Sequence, residues 1–259
     1  SFMDKLHQAC HNPPQEIDIV HIGDSHLQAG FYSNRIRFNL QQYFESDTLP
    51  NLGFIFPYTT AQTNNPGNYQ VSHTGKWDYC KAVQNDPECR LGLSGITLTT
   101  RDTLASIRIR VKDYFPFLRY KIRSTGIFCH YPDSVYTVTL NGNQIGAGQS
   151  GERIDVSFAE PTDTLTLVVR KKDPASPAAF TLSGLDLRGK DRGITYHAIG
   201  VNGAKAKSYL QCGHLPGQLR KLDPDWVILS LGTNEAYNPE FSTNSFRENL
   251  TRLIQTVRE

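Results

Sequence analysis

The sequence changes twice between two kinds of hydrophobic pattern, and these changes constrain the fold more than any single motif does. Near the start, an apolar run at residues 17–22 is followed by a tight turn and then by apolar residues at Ile36, Leu40 and Phe44. The run predicts a buried strand of a parallel sheet, and the spacing after it predicts an amphipathic helix. Similar patterns return after about residue 193, in GITYHAIG, PDWVILSLG and SFRENLTRLIQTVRE. Both ends of the chain therefore indicate an α/β fold.

The middle of the chain, from about residue 66 to 188, has the shorter period of antiparallel strands. Apolar and polar residues alternate in LASIRIRV and VYTVTL, and the second segment leads into Asn141-Gly142, a strong hairpin signal. Further short strand patterns are separated by Pro and Asp turns. We therefore predict an α/β domain made of residues 1–65 and 191–259, interrupted by an inserted antiparallel β-sandwich at residues 66–190.

The composition argues against two classes of partner. The chain has 259 residues, and its 27 basic and 25 acidic side chains leave a formal charge of +2. This balance argues against a nucleic-acid partner and against an acidic membrane surface. No apolar run approaches the roughly 18 residues of a membrane span, and the opening residues SFMDKLHQAC do not have the pattern of a signal peptide.

The five cysteines do not have the spacing of metal ligands, so the sequence predicts no metal site. Cys80 and Cys89 flank a short polar loop. Two alternatives stay open for them, a local disulfide in an oxidising compartment or two unrelated thiols, because spacing alone does not establish pairing.

The residues that carry chemistry begin with Gly-Asp-Ser-His at positions 23–26, where the first strand meets the first helix. Reactive groups of α/β enzymes lie outside the carboxyl ends of the strands, as this serine would. There the hydroxyl of Ser25 is exposed for attack, and its backbone N–H is positioned to stabilise an oxyanion. Asp and Ser are also ordinary helix N-caps, so these four residues alone do not decide between catalysis and capping.

Two further loops favour catalysis. VNGAK follows one predicted strand and GTNE follows another. The backbone N–H of Gly203 and the side-chain amide of Asn234 would join the N–H of Ser25 as three donors of an oxyanion hole. A turn glycine or a capping asparagine is common singly, but the three loops together at one end of their strands indicate a site.

These residues resemble a known family. IVHIGDSH, the Gly203 loop and LSLGTNE are similar to the first, second and third conserved blocks of the SGNH/GDSL hydrolases. The resemblance implies a flavodoxin-like parallel sheet, Ser25 as nucleophile and an oxyanion hole of Ser25, Gly203 and Asn234, without any cofactor or metal. His26, LQAG, RFNLQQYF and LGFIFPY resemble the bacterial peptidoglycan O-acetylesterases, which also insert a β-sandwich between the first two blocks.

The resemblance implies a serine esterase that removes O-acetyl groups from a glycan, with peptidoglycan or another acetylated polysaccharide as substrate. It also implies a periplasmic or secreted bacterial protein with a carbohydrate-binding-like sandwich. Two alternatives use the same motifs, namely a glycan O-acyltransferase and a catalytically inactive carbohydrate-binding protein. Trp77, Tyr79 and Tyr69 would either stack on sugar rings or belong to the core.

The chain departs from the family at the Asp-x-x-His block, which supplies the histidine base and its carboxylate. Only 25 residues follow Asn234, and none of them is histidine. Asp4 to His7 matches the spacing but precedes the first strand, in a predicted helix at residues 2–10. We therefore expect a C-terminally incomplete sheet, with the base in a missing C-terminal segment of the same protein.

The remaining histidines do not replace that block. His26 adjoins Ser25, but side chains next to each other at such a turn usually diverge, so we expect Asp24 and His26 to shape the site. His197 lies in a predicted strand and is expected in the core or at a sheet edge. No motif surrounds the other histidines, which include His73, His130 and His214.

Overall fold

The structure is a computed structural model, which describes residues 4–5, 16–44, 50–84, 86, 88–115, 119–146, 153–190 and 193–259. The helix predicted at residues 2–10, with its Asp-x-x-His match, lies almost entirely outside these residues. In chain order, the described strands are β1 Glu16–Gly23, β2 Gly53–Ile55, β3 Tyr69–Thr74, β4 Asp78–Lys81, β5 Ile96–Thr100, β6 Leu104–Val111, β7 Ile122–His130, β8 Tyr136–Leu140, β9 Asn143–Gln144, β10 Arg153–Thr162, β11 Thr164–Lys171, β12 Phe180–Arg188, β13 Gly193–Gly200 and β14 Trp226–Ser230. The described α-helices are α1 Ser25–Ala29, α2 Phe31–Phe44, α3 Ala206–Tyr209, α4 Leu215–Leu222, α5 Thr233–Ala236 and α6 Thr243–Thr256, and a 3₁₀ helix spans Tyr58–Ala61.

The central strand β1 pairs in parallel with β13 on one side and with β14 on the other. Every residue of β1 after Glu16 is buried, which explains why its sequence is a nearly continuous apolar run. Helix α2 covers one face of this sheet, where Ile36 and Leu40 pack on the cluster formed by Ile17, Ile19, Ile194 and Tyr196. Parallel pairing and helix α2 are thus confirmed for these elements, while the side chain of Phe44 lies outside the described residues.

The predicted last helix is also confirmed. Helix α6 begins after Ser242, whose hydroxyl accepts a hydrogen bond from the backbone N–H of Ser245 at 3.3 Å. Leu253 is fully buried and Phe246 packs against the core, so one face of the helix is apolar and the other faces water. None of the described helices is long and apolar enough to cross a membrane.

Two antiparallel sheets are formed by the chain between β1 and β13. One has the strand order β10-β7-β12-β5-β4, with β2 also paired to β12, and the other has the order β3-β6-β11-β8-β9. Alternate residues of β6 are buried, which accounts for its period of two. The hairpin predicted at Asn141 and Gly142 joins β8 to β9, and both residues have positive φ angles, 47° and 84°. The antiparallel strands are confirmed, and their grouping as a separate sandwich domain stays a prediction.

Strand β2 brings the early part of the chain into the six-stranded antiparallel sheet. The ring of Phe54 lies 5.7 Å from the ring of Phe128, centroid to centroid. A Cβ at Gly184 would lie 2.2 Å from Cζ of Phe54, so only glycine leaves room for this ring at the irregularity in β12. The apolar core is therefore continuous from β1 and β2 into the antiparallel sheets.

Two questions left open by the sequence are settled in the antiparallel part. Cys80 and Cys89 form a disulfide, which is the first of the two alternatives. Trp77 and Tyr69 are buried in the core, whereas Tyr79 is only partly buried. The core role is thus confirmed for the first two aromatic residues.

Candidate active site

The carboxyl ends of the three parallel strands lie at one level and hold the three predicted loops together. Gly23 of β1 is paired with Gly200 of β13 and with Ser230 of β14. The backbone N–H of Val201 donates to the carbonyl of Gly23 at 3.3 Å, so the second loop starts directly beside the first. Ser25, Gly203 and Asn234 therefore occupy one edge of the sheet.

The turn between β1 and α1 is tight because two glycines allow close backbone contact. A Cβ at Gly23 would lie 2.5 Å from Cδ1 of Leu27 and 2.8 Å from the carbonyl oxygen of Ser230. A Cβ at Gly200 would lie 2.4 Å from the backbone nitrogen of Gln28. Any side chain at either position would push α1, and Ser25 with it, away from the sheet.

Asp24 links the first and third loops. It is the N-cap of α1, and its Oδ1 accepts from the backbone N–H of His26 at 3.0 Å and lies 2.8 Å from His26 Nδ1. Its Oδ2 accepts from the side-chain amide of Asn234 at 3.2 Å. The same amide nitrogen donates to the carbonyl of Ala204 at 2.9 Å, which ties in the second loop. A substrate oxygen that accepts from the Asn234 amide would therefore replace one of its two hydrogen bonds. The bond to Asp24 is the longer of the two.

Ser25 and Gly203 both have unused donors. Ser25 is half-buried and is the first residue of α1, where backbone N–H groups have no partner within the helix. Among the described residues, neither its N–H nor its hydroxyl has a hydrogen-bond partner, and the N–H of Gly203 has none either. Gly203 has a φ of +79°, a conformation that favours glycine.

Three histidines lie near the parallel sheet in different environments. The side chain of His26 is 62% exposed, and with Nδ1 at Asp24 its Nε2 faces outward without a partner among the described residues. His197 is fully buried; its Nε2 lies 2.7 Å from Asp18 Oδ1, and its Nδ1 accepts from the N–H of Phe54 at 2.9 Å. The expectation of a core position for His197 is thus confirmed.

His21 is the third of these histidines and faces α2 from the centre of β1. Its Nδ1 lies 2.5 Å from the hydroxyl of Tyr196, and its Nε2 lies 2.6 Å from Oγ of Ser230. Burial lowers the pKa of His21 to about 4, so the ring is neutral at neutral pH. With both nitrogens engaged, it has no free position for a proton from Ser25.

No family model matches the chain, and no curated protein matches it. A solved structure described as "Peptidoglycan O-acetylesterase in action, 5 min" aligns with a TM-score of 0.75 and 24% sequence identity over 99% of this chain and 67% of that chain. The two chains share one fold. The resemblance seen in the sequence is confirmed at that level.

Two other solved structures are carbohydrate esterases of family two. The one from Cellvibrio japonicus is 12% identical and covers 73% of this chain and 76% of its own, with a TM-score of 0.24. The one from Clostridium thermocellum is 12% identical and covers 74% of each chain, with a TM-score of 0.28.

Sequence reasoning missed the polar residues that support the second loop. The buried amide of Gln28 accepts from the N–H of Asn202 at 2.8 Å and donates to Thr63 Oγ1 at 2.9 Å. Glu235 accepts from the N–H of Ala206 at 2.6 Å. No pattern in the sequence singled out Gln28, which lies between the predicted turn and the helix predicted from Ile36, Leu40 and Phe44. Among the described residues, no group of three or more His, Cys, Asp or Glu side chains is arranged to hold a metal ion.

Proposed function

We propose that this chain is an SGNH-type serine esterase that removes O-acetyl groups from a glycan, with peptidoglycan as the preferred substrate. The observation that carries the proposal is that the N–H and hydroxyl of Ser25 and the N–H of Gly203 have no hydrogen-bond partner among the described residues, and that they follow the adjacent carboxyl ends of β1 and β13. The shared fold with a peptidoglycan O-acetylesterase supports the same assignment. Fold alone does not establish an activity, so the residues at this edge of the sheet decide the assignment.

The proposed reaction is acyl transfer through Ser25. Its Oγ attacks the carbonyl carbon of the acetyl ester while a histidine takes the hydroxyl proton. The negative charge on the former carbonyl oxygen is bound by the N–H groups of Ser25 and Gly203 and by the amide of Asn234. The sugar hydroxyl leaves with the proton, and water then cleaves the acetyl-serine to release acetate.

We also propose that the base is not among the described histidines. His21 and His197 have both ring nitrogens engaged, and no described histidine is hydrogen-bonded to Ser25. In this proposal Asp24 and His26 shape the turn, and Asp24 orients Asn234. A serine site without its base keeps oxyanion stabilisation and substrate binding, which together still accelerate the reaction about 10³–10⁴-fold over water.

The antiparallel sheets are proposed to be an inserted, carbohydrate-binding-like sandwich at residues 66–190. The α/β parts at 1–65 and 191–259 are proposed to form one hydrolase domain of the flavodoxin-like type. The Cys80–Cys89 disulfide supports a periplasmic or secreted location, because such bonds persist in oxidising compartments.

The test is acetate release from O-acetylated peptidoglycan, with and without added imidazole as an external base. The unaltered chain, Ser25→Ala and Ser72→Ala are compared, since Ser72 is an exposed serine on β3, away from the site. We expect slow release that increases with imidazole, persists in Ser72→Ala and is absent in Ser25→Ala. Release that does not depend on Ser25 would contradict the esterase proposal. Fast, Ser25-dependent release without imidazole would contradict only the proposal about the base.

A catalytically inactive carbohydrate-binding protein is the second candidate. It is favoured by one observation, namely that both hydrogens of the Asn234 amide already have acceptors in Asp24 and Ala204. This candidate expects binding of acetylated glycan with no Ser25-dependent acetate release at any imidazole concentration.

A further inference from the structure

A cavity of about 450 Å³ lies on the six-stranded antiparallel sheet, and Ser25 is not among its lining residues. Its floor contains Thr97 and Thr99 of β5 and Thr181 and Ser183 of β12. These residues alternate along their strands with core residues such as Leu98, so they lie on the sheet face that is turned away from the five-stranded sheet. The cavity is large enough for a monosaccharide.

The rim of the cavity is held by bonds between two segments. The Cys80–Cys89 disulfide fixes the segment that carries Glu88 and Arg90. The N–H of His214 donates to the carbonyl of Leu91 at 3.0 Å, which joins this segment to the start of α4. Because covalent and backbone bonds set its shape, the cavity exists before any ligand enters.

Positive charge predominates among the cavity's ionisable side chains. Its lining includes Arg90, Arg101, His130 and His214, and Glu88 is the one acidic side chain among the described lining residues. Within the described part of the chain, the guanidinium groups of Arg90 and Arg101 have no ion pair and no hydrogen bond. Their backbone carbonyls, by contrast, accept bonds from Thr97 Oγ1 at 2.7 Å and from Lys171 Nζ at 3.2 Å. The backbone of each arginine is anchored and its charged end is unused.

The two histidines add polar groups with few partners to the cavity. Nδ1 of His130 is buried without a hydrogen-bond partner in the described structure. Burial, together with the positive charges of Arg90 and His130, lowers the pKa of His214. A buried polar atom without a partner costs free energy unless a ligand or water satisfies it.

We propose that this cavity binds the carboxylate of an acidic saccharide, with Arg90 and Arg101 on the carboxylate and the Thr and Ser hydroxyls of the floor on the sugar. A guanidinium presents paired N–H groups that match a carboxylate. The choice of ligand rests on the proposed function, since the muramic-acid sugars of peptidoglycan carry a lactyl group whose carboxylate is free wherever no stem peptide is attached to it. The cavity would hold the glycan at a place separate from Ser25.

An NMR titration of the full chain tests this with N-acetylmuramic acid and with N-acetylglucosamine, which has the same ring without the lactyl carboxylate. We expect saturable binding of the first sugar only, weakened at least tenfold by Arg90→Gln and by Arg101→Gln. Arg108→Gln is the matched control, because Arg108 is an exposed arginine on β6 of the other sheet. The bound carboxylate should also raise the pKa of His214, and the NMR resonances of the His214 ring report this change. The other charged or titratable groups that line the cavity with His214 include Glu88, Arg90, Arg101 and His130.

Three outcomes would overturn the proposal. They are equal binding of both sugars, binding that neither arginine substitution weakens, and binding of inorganic phosphate as tight as that of N-acetylmuramic acid. The comparison of sugars on the unaltered chain stays decisive even if a variant unfolds. Ser25→Ala separates this inference from the esterase proposal. Binding retained in that variant would show that the cavity acts without Ser25, and binding by an unaltered chain that releases no acetate at any imidazole concentration would overturn the proposed function while supporting the cavity.

Discussion

Two aspartate–histidine pairs lie toward opposite ends of the central strand. Their interatomic distances are similar, but their exposure to solvent and their neighbours differ. Asp24 and His26 are 2.8 Å apart at the carboxyl end, and Asp18 and His197 are 2.7 Å apart toward the other end. The His26 side chain is mostly exposed and its Nε2 has no partner among the described residues, whereas His197 is fully buried. The same aspartate–histidine distance thus occurs in an exposed turn and in the buried core, so this distance alone does not identify a catalytic pair.

The buried pair belongs to a charge network. Arg188 Nη2 donates to Asp18 Oδ1 at 2.6 Å, and Arg188 Nε donates to Asp186 Oδ2 at 2.9 Å. Burial opposes ionisation of Asp18, but His197 and Arg188 together lower its pKa. Burial also opposes the charge of Arg188, and the two carboxylates raise its pKa. Each charge depends on the others, which makes this region structural.

The largest effect is expected from Asp18→Ala. The substitution leaves His197 and Arg188 in the core without a shared acceptor, and breaking a buried pair in this way costs about 3–5 kcal/mol. Denaturant unfolding of Asp18→Ala and of Asp24→Ala measures the loss in the free energy of unfolding for each pair. A loss below that of Asp24→Ala would remove the distinction between the two pairs.

His21 sharpens the comparison because it is buried like His197 but has no carboxylate partner among the described residues. Its folded-state pKa of about 4 lies below the unfolded value of 6.5, so the folded state binds fewer protons in that range. The free energy of unfolding should fall by up to about 3 kcal/mol as the pH drops from 6.5 to 4. The folded state lowers the pKa of Asp18 from its ordinary value of 3.8, so the contribution of Asp18 to the free energy of unfolding is lost only below about pH 3.8.

Unfolding curves across this pH range check the effect, with His21→Gln as the variant that removes the titration. The unaltered chain should lose stability between pH 6.5 and 4, and the variant should have a flatter profile. An identical slope in both proteins would assign the acid sensitivity to other groups.

Asp24→Ala should cost about 1 kcal/mol of stability, because it removes an N-cap. If the proposed function holds, the rate of acetate release should fall by more than any loss of folded protein explains, because Asp24 also orients the Asn234 amide. Ser242→Ala is the matched control, because it removes another N-cap far along the chain, at α6. Equal activity in the two variants would mean that Asp24 acts only as a cap.

The smallest effect on stability is expected from His26→Ala, within about 0.5 kcal/mol, because the side chain is exposed and surface ion pairs contribute little. If His26 only shapes the turn, imidazole-assisted acetate release should change by no more than a few fold. A loss of several orders of magnitude would identify His26 as the base and would make the exposed pair catalytic after all.

The local features were predictable from the sequence, and the long-range polar ones were not. The apolar run of β1, the period of β6 and the Asn141-Gly142 turn each reflect neighbouring residues, so their patterns predict the elements directly. The shared edge of Ser25, Gly203 and Asn234 followed from the rule that parallel strands end together.

The polar contacts that escaped prediction join residues from distant strands. Asp18 and Arg188 are 170 positions apart and meet only because β12 ends near the start of β1. One cavity is lined by Arg90 from a loop, His130 from β7 and His214 from the start of α4. No spacing in the sequence relates these three residues. Such sites depend on strand order and register, which residue patterns do not determine.

Strand β2 has a consequence for how chains of this kind exchange parts during evolution. It precedes the predicted sandwich in the sequence, yet it hydrogen-bonds to β12 and its Phe54 occupies the space left by Gly184. A gene segment that begins at residue 66 would leave β12 without this neighbour and Phe54 without its site. Recombination that swaps the antiparallel sheets as a module is therefore expected to succeed only when residues 53–55 travel with them.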